Sequence, residues 1–175
     1  YILSAEGELQ TLSHAQAAAL MHKKSVLVCH GPYVRSKLSG GADAAAFYAF
    51  DALELFAFVH PGAFCVPTIP GLCNTLGLCA PESTEDHPFS LLEIVRALLE
   101  DVRKEAMPPH PHPLPHPNPP QKKEGGNRVL EIAEAMGMNG KGWGWTPFIF
   151  SALGRRYDPA LPVNGKTALG VWKDL

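Results

Sequence analysis

A proline-rich segment, residues 108–127, most constrains how this chain can fold. Its sequence, PPHPHPLPHPNPPQKKEGGN, holds 8 of the 17 prolines of the 175-residue chain and shows no apolar periodicity. Proline lacks a backbone N–H donor and glycine adds conformational freedom, so no packed helix or strand is expected here. We predict an exposed segment, disordered or in polyproline conformation, that separates an α/β domain over residues 1–107 from a helical extension over residues 128–175.

The overall composition is that of a globular protein. Hydrophobic residues make up 46% of the chain and charged residues 18%, and the length suits one ordinary α/β domain. The formal net charge is −2 and the Lys and Arg residues are dispersed, so tight binding to nucleic acid by this chain alone is not expected. No apolar run approaches the roughly 18–20 residues that span a bilayer, so no membrane partner is expected.

The cysteines favour a reduced environment. Cys29, Cys65, Cys73 and Cys79 form no Cys-x-x-Cys pair, which argues against a structural zinc site and favours a cytoplasmic location. The chain begins at Tyr1 without a charged-then-apolar leader. We therefore expect a piece of a longer polypeptide that carries no signal peptide.

Strand and helix patterns alternate over residues 1–107, which predicts an α/β fold. The strongest strand pattern is SVLVC, a hairpin is predicted with Gly7 in its turn, and a second strand is predicted near residues 47–50. A helix follows that second strand and ends at Pro61 and Gly62. Further helices are predicted in the segments SHAQAAALMHKK, GPYVRSKLSGG, TIPGLCNTLGL and PFSLLEIVRALLEDVRKEA.

Capping residues support these helices. Ser13 and Thr68 are predicted N-caps and Gly77 a stop signal, while the spacing of Ser90 and Glu93 matches a capping box. The long helix carries one predicted apolar face, formed by Leu91, Leu92, Ile94, Val95, Leu98, Leu99 and Val102. After the proline-rich segment, amphipathic helices are predicted in RVLEIAEAMGM and TPFIFSALGRR, with stops at Gly137 and Gly154.

Three stretches of residues 1–105 resemble the DEDD (DnaQ-like) exonuclease domain, which has an RNase H-like fold. They are VLVCHGPYVRSKL, FDALELFAFVHPGAFCVPTIPGLCNTLGL and HPFSLLEIVRALLEDV. The second stretch, with GWGWTPFIFSALG nearer the end, is similar to the N-terminal region of DinG-type ATP-dependent DNA helicases. The resemblance implies a mixed sheet flanked by helices, followed by a helicase motor.

The same resemblance implies that the exonuclease metal site is degenerate. DEDD chemistry uses four carboxylates to hold two divalent cations about 4 Å apart. At the matching positions this chain has Ser4 and Glu6 for the first motif, Arg35 for the second aspartate, and Glu93 as the nearest acid to the third motif. Arginine is a permanent cation, which would repel a metal ion. Because of this residue and the missing carboxylates, we expect no catalytic residue at these positions and no metal in this segment.

The leading functional hypothesis is a catalytically inactive, exonuclease-like module of a DNA repair or replication helicase. The partner would be the motor of the same polypeptide, which would bind ATP and Mg²⁺ and bring the module to DNA. One alternative is an active metal-dependent 3′–5′ exonuclease whose rearranged site uses Glu6, Asp51 and Glu93. A second alternative is a free-standing protein-interaction domain.

Four residues are candidates for contact with nucleic acid. Arg35 and Lys37 lie on a predicted basic helix, while Trp143 and Trp145 lie in the GKGWGW turn between two predicted helices. Tryptophan rings there could stack on bases, but aromatic residues between two helices more often close the core.

Overall fold

A computed structural model of the chain describes residues 1–38, 47–106, 125–137 and 143–158. The chain divides into two compact units, residues 1–98 and residues 99–175. This division falls inside one long helix. The predicted boundary after residue 107 lies outside the described residues.

An antiparallel hairpin opens the first unit. Strand β1 (Ile2–Leu3) pairs with β2 (Leu9–Gln10), and Gly7 adopts a φ of 88° in the turn between them. Only glycine adopts this backbone region readily, because a Cβ atom would be strained there. The predicted hairpin with glycine in its turn is therefore confirmed.

Helix α1 (His14–Met21) follows, and its first turn is capped as the sequence predicts. The Ser13 hydroxyl accepts a hydrogen bond from the backbone of Gln16, whose side chain accepts one from the Ser13 backbone in return. This reciprocal pair is a capping box, and it satisfies two N–H groups that have no partner within the helix.

A parallel strand pair with a helical crossover forms the centre of the first unit. Strand β3 (Val26–Val28) pairs with β4 (Ala49–Asp51), and Val26 lies opposite Ala49. Between them lies helix α2 (Gly31–Leu38). A parallel pair requires such a crossover, because the chain must return from the carboxyl end of one strand to the amino end of the next.

Two apolar helices come next. Helix α3 (Ala52–Val59) buries Ala52, Leu55, Phe56 and Val59, which recur at the spacing of one helical face. Helix α4 (Ile69–Leu76) begins at the Thr68 cap and ends at Gly77, whose φ is 68°. Both predicted ends of α4 are confirmed.

The long helix α5 (His87–Ala106) corrects one prediction. Ser90 and Glu93 do not form a capping box, because the helix already begins at His87 and the Ser90 amide donates to the carbonyl of Asp86. The buried face consists of Leu91, Ile94, Leu98 and Val102. Leu92 was predicted on this face but is 49% exposed, since it lies about 100° around the helix from Leu91.

The second unit contains two further helices, α6 (Gly125–Gly137) and α7 (Thr146–Ala152). The buried hydroxyl of Thr146 donates to the carbonyl of Ala133 at 2.9 Å and so joins the two helices. Helix α6 begins at Gly125, inside the segment predicted to be unstructured. The rest of the proline-rich segment lies outside the described residues.

These elements confirm an α/β fold. The described ranges contain seven helices and four strands, and the strands form two separate two-stranded sheets. The antiparallel pair and the parallel pair are not hydrogen-bonded to each other within the described residues, so the mixed RNase H-like sheet that the resemblance implies is not confirmed. Among the helices described, none is long and apolar enough to cross a membrane.

Candidate functional site

Asp51 lies at the carboxyl ends of the parallel strands β3 and β4, with Arg35 nearby. Asp51 is the last residue of β4 and is 4% exposed. Its Oδ1 accepts hydrogen bonds from the amides of Leu53 at 2.9 Å and Glu54 at 3.3 Å, which caps α3. Its Oδ2 accepts a hydrogen bond of 2.6 Å from the amide of Gly31, at the start of α2. The carboxylate therefore links the two strand-to-helix turns.

Gly31 leaves space for this carboxylate. A Cβ atom at position 31 would lie 3.1 Å from Oδ2 of Asp51 and 3.8 Å from Nη2 of Arg35. Any side chain larger than that of glycine would press on a group that three backbone amides hold in place. The Arg35 guanidinium therefore borders the same small space as the Asp51 carboxylate.

Arg35 packs against protein rather than extending into solvent. It lies in α2 and is half-buried, with its Cζ atom 5.2 Å from the centre of the Phe47 ring. This distance is within the range of a cation–π contact. Lys37 is exposed, and its Nζ atom lies 5.4 Å from the Tyr33 ring centre.

Ser4 and Glu6 lie in the turn of the hairpin and not on a strand. The Ser4 amide donates to the carbonyl of Glu8, and the Ser4 hydroxyl accepts from the Glu8 amide at 3.2 Å. Glu6 is exposed. A hydrogen bond from its own backbone amide, then one from Ser4, and the charge of Lys24 hold the pKa of Glu6 below its usual value.

Glu93 faces solvent on α5. Its side chain is 62% exposed and lies 3.8 Å from the Arg96 guanidinium. An exposed pair of this kind contributes little to stability. Across the described parts of the chain, no three His, Cys, Asp or Glu side chains are grouped so that they could hold a metal ion.

The two tryptophan candidates differ in exposure. Trp145 is 3% exposed, and its ring makes an edge contact with Phe148 at 5.8 Å. Trp143 is half-buried. Because the protein covers the ring of Trp145, this residue offers no open face for a base in the observed arrangement.

Cys29, between β3 and α2, is a poor nucleophile. Burial raises the pKa of its thiol to about 12, and the nearby charge of Asp51 acts in the same direction. A thiol with such a pKa remains protonated at neutral pH, and the thiolate is the reactive form.

Comparisons with known proteins gave no match, either to a protein-family model or to a curated protein or a solved structure.

Two features of this region were not predicted from the sequence. The first is the bond between Gly31 and Asp51, although an aspartate directly before an apolar helix is a recognisable N-cap signal. The second is charge segregation. Residues 9–42 contain four Lys or Arg residues and no Asp or Glu, so the cations are less dispersed than the net charge suggests.

Proposed function

We propose that residues 1–107 form a catalytically inactive, RNase H-like exonuclease module of a DinG-type ATP-dependent DNA helicase. In this proposal the module positions DNA or a partner in DNA repair or replication. ATP hydrolysis with Mg²⁺ belongs to a motor elsewhere in the same polypeptide. Residues 128–175 would lead from the module toward that motor.

The burial and the hydrogen bonds of Asp51 are the observation that carries this proposal. In the resemblance to DEDD exonucleases, Asp51 and Glu54 match a block whose role is mainly structural. Asp51 is buried and its two carboxylate oxygens accept three backbone hydrogen bonds. Its role in holding two strand-to-helix turns supports a retained scaffold without requiring catalysis.

The surroundings of Asp51 do not suit a pair of divalent cations. Two such ions require several converging carboxylates to offset their mutual repulsion and lost hydration. Here the Arg35 guanidinium borders the carboxylate, Glu6 lies in a hairpin turn, and Glu93 faces solvent. These positions do not fit the metals of an exonuclease.

A metal titration tests the inactive assignment. The purified 175-residue chain should release no nucleotides from single-stranded or duplex DNA with Mg²⁺ or Mn²⁺, and Mn²⁺ should not raise its melting temperature in a saturable way. Glu6→Ala is the test variant and Glu8→Ala is its control, since both glutamates are exposed in the same hairpin. A saturable rise in melting temperature that Glu6→Ala abolishes and Glu8→Ala preserves would contradict the proposal and favour the rearranged nuclease.

The coding sequence that follows residue 175 tests the helicase assignment. We expect it to encode a Gly-x-Gly-Lys-Thr phosphate-binding loop and an Asp-Glu-Ala-His-like box. A polypeptide without either motif would overturn the assignment and favour a free-standing interaction domain.

A further inference from the structure

The loop between α3 and α4 presents the most exposed large apolar side chain among the described residues. Phe64 retains 87% of its surface and Val66 retains 53%, while Cys65 between them is half-buried. This alternation has the period of an extended strand, in which successive side chains point to opposite sides. We call residues 63–66, with the sequence Ala-Phe-Cys-Val, the loop segment.

Backbone contacts hold both ends of the loop segment. The Ala63 amide donates to the carbonyl of His60 at 3.0 Å, and the Val66 carbonyl accepts from the Thr68 amide at 2.7 Å. The same Val66 carbonyl lies against Gly71 in the first turn of α4, so closely that a Cβ atom at Gly71 would overlap it. The exposed aromatic ring is therefore presented on a fixed backbone, which lowers the entropy lost when a partner binds.

The middle of the loop segment has backbone groups available for pairing. Within the described parts of the chain, the amides of Phe64, Cys65 and Val66 donate to no backbone carbonyl. Pro61 and Pro67 flank the segment, and proline supplies no backbone donor, so a pairing strand can extend over only a few residues here. Extended segments with open backbone groups bind other extended chains by strand addition.

The composition around the loop segment favours a second copy of the same chain as the partner. Residues 55–81 contain no Asp, Glu, Lys or Arg, so two copies that face each other here bring no like charges together. In an antiparallel pair centred on Cys65, Phe64 of each copy lies opposite Val66 of the other. An aromatic ring opposite a β-branched side chain is a favourable cross-strand pair. The segment is thus complementary to itself.

We propose that the loop segment is a self-association surface, through which two copies of the chain pair antiparallel about a two-fold axis. Such a pair is closed, because each copy contributes the same segment and a third copy finds no equivalent place. Few residues take part compared with the roughly 20–30 on each side of a standard interface, so the dimer should be weak, with a Kd of about 0.1–1 mM. The proposal goes beyond the nuclease and helicase assignments and does not depend on them.

Sedimentation equilibrium under reducing conditions tests the association directly. Between about 20 µM and 1 mM, the weight-average mass of the chain should rise toward that of the dimer. Phe64→Ser should raise the Kd by at least about tenfold, because the two-fold axis removes the ring from both halves of the interface. Phe89→Ser is the matched control, since Phe89 is 46% exposed on α5 and lies outside the loop segment, and it should leave the Kd unchanged.

Thiol oxidation locates the contact. Residues that lie opposite each other in an antiparallel pair have Cα atoms about 4.5–5.5 Å apart, a spacing that a disulfide spans. Diamide should therefore join two copies through Cys65, since the two thiols give up two electrons and two protons, which reduce diamide to its hydrazine. Cys65→Ser should abolish the covalent dimer, whereas Cys79→Ser should preserve it even though Cys79 is the more exposed thiol.

Three outcomes would overturn the proposal. The first is a monomer at all concentrations, and the second is an equal effect of Phe64→Ser and Phe89→Ser. The third is cross-linking through Cys79 in place of Cys65, which would indicate random collision. Circular dichroism should show that every variant retains the helical content of the wild-type chain. These measurements use neither DNA nor metal, so their failure is distinguishable from a failure of the proposed function.

Discussion

Replacing Asp51 tests whether its carboxylate holds the first unit together. Asp51→Ala removes the cap of α3, which typically costs about 1 kcal/mol of unfolding free energy. It also leaves the buried amide of Gly31 without its 2.6 Å charge-assisted bond, which costs about 1.5–3 kcal/mol. The free energy of unfolding should therefore fall by about 3 kcal/mol.

Two further variants separate the cap from the link to Gly31. Asp51→Asn retains an oxygen for the amides of Leu53 and Glu54 but turns an N–H₂ group toward the Gly31 amide, so it should lose about 2 kcal/mol. Thr68→Ala removes only the cap of α4, where the hydroxyl accepts from Gly71 at 3.1 Å, and should lose about 1 kcal/mol.

Urea denaturation followed by far-ultraviolet circular dichroism measures these differences. With a slope of about 2 kcal/mol per molar urea, Asp51→Ala should lower the midpoint by about 1.5 M and Thr68→Ala by about 0.5 M. If Asp51→Ala costs no more than Thr68→Ala, the Gly31 link contributes nothing and the structural role argued for Asp51 is wrong.

Two other substitutions probe packing and ionisation. Gly71→Ala should destabilise the chain by about 2 kcal/mol in the same denaturation assay, because its Cβ would overlap the carbonyl oxygen of Val66. Gly62→Ala, which meets nothing within 4 Å, should change stability by less than about 0.5 kcal/mol, and equal effects would refute the packing argument. Burial raises the pKa of the Cys29 thiol from 9.0 to about 12. The protonated thiol therefore contributes its full stabilisation below pH 9, and the free energy of unfolding falls as the pH rises from 9 toward 12. Cys29→Ala should flatten that alkaline loss, and at pH 8 a thiol reagent should modify exposed Cys79 well before Cys29, in which about one thiol in ten thousand is ionised.

Local signals predicted the elements well. The Ser13 cap, the Gly7 turn and the Thr68 and Gly77 boundaries of α4 depend on a few neighbouring residues, so sequence alone predicted them. The pairing of β3 with β4 depends on residues more than twenty positions apart, and short strands contain little register information. Their separation from the opening hairpin was not predicted for the same reason.

The candidate site was less predictable than the elements that form it. Sequence placed Arg35 on a basic helix and Asp51 at the end of a strand, but it did not show that their charged groups border the same glycine. Ser90 and Glu93 matched a capping pattern inside a helix that had already begun. In each case the outcome depends on where a neighbouring element starts, which a pattern of a few residues does not contain.

The groups around Asp51 explain why the fold can be retained without a metal site. At the carboxyl end of the parallel pair, three amides and the Arg35 guanidinium surround the space that Asp51 occupies, so the local field already compensates its negative charge. A divalent cation placed there would meet the Arg35 guanidinium, and the described residues bring no three metal-binding side chains together to offset its lost hydration. An aspartate at position 35 would add one carboxylate, while Glu6 stays in the hairpin turn and Glu93 faces solvent, so Arg35→Asp alone should not create a nuclease.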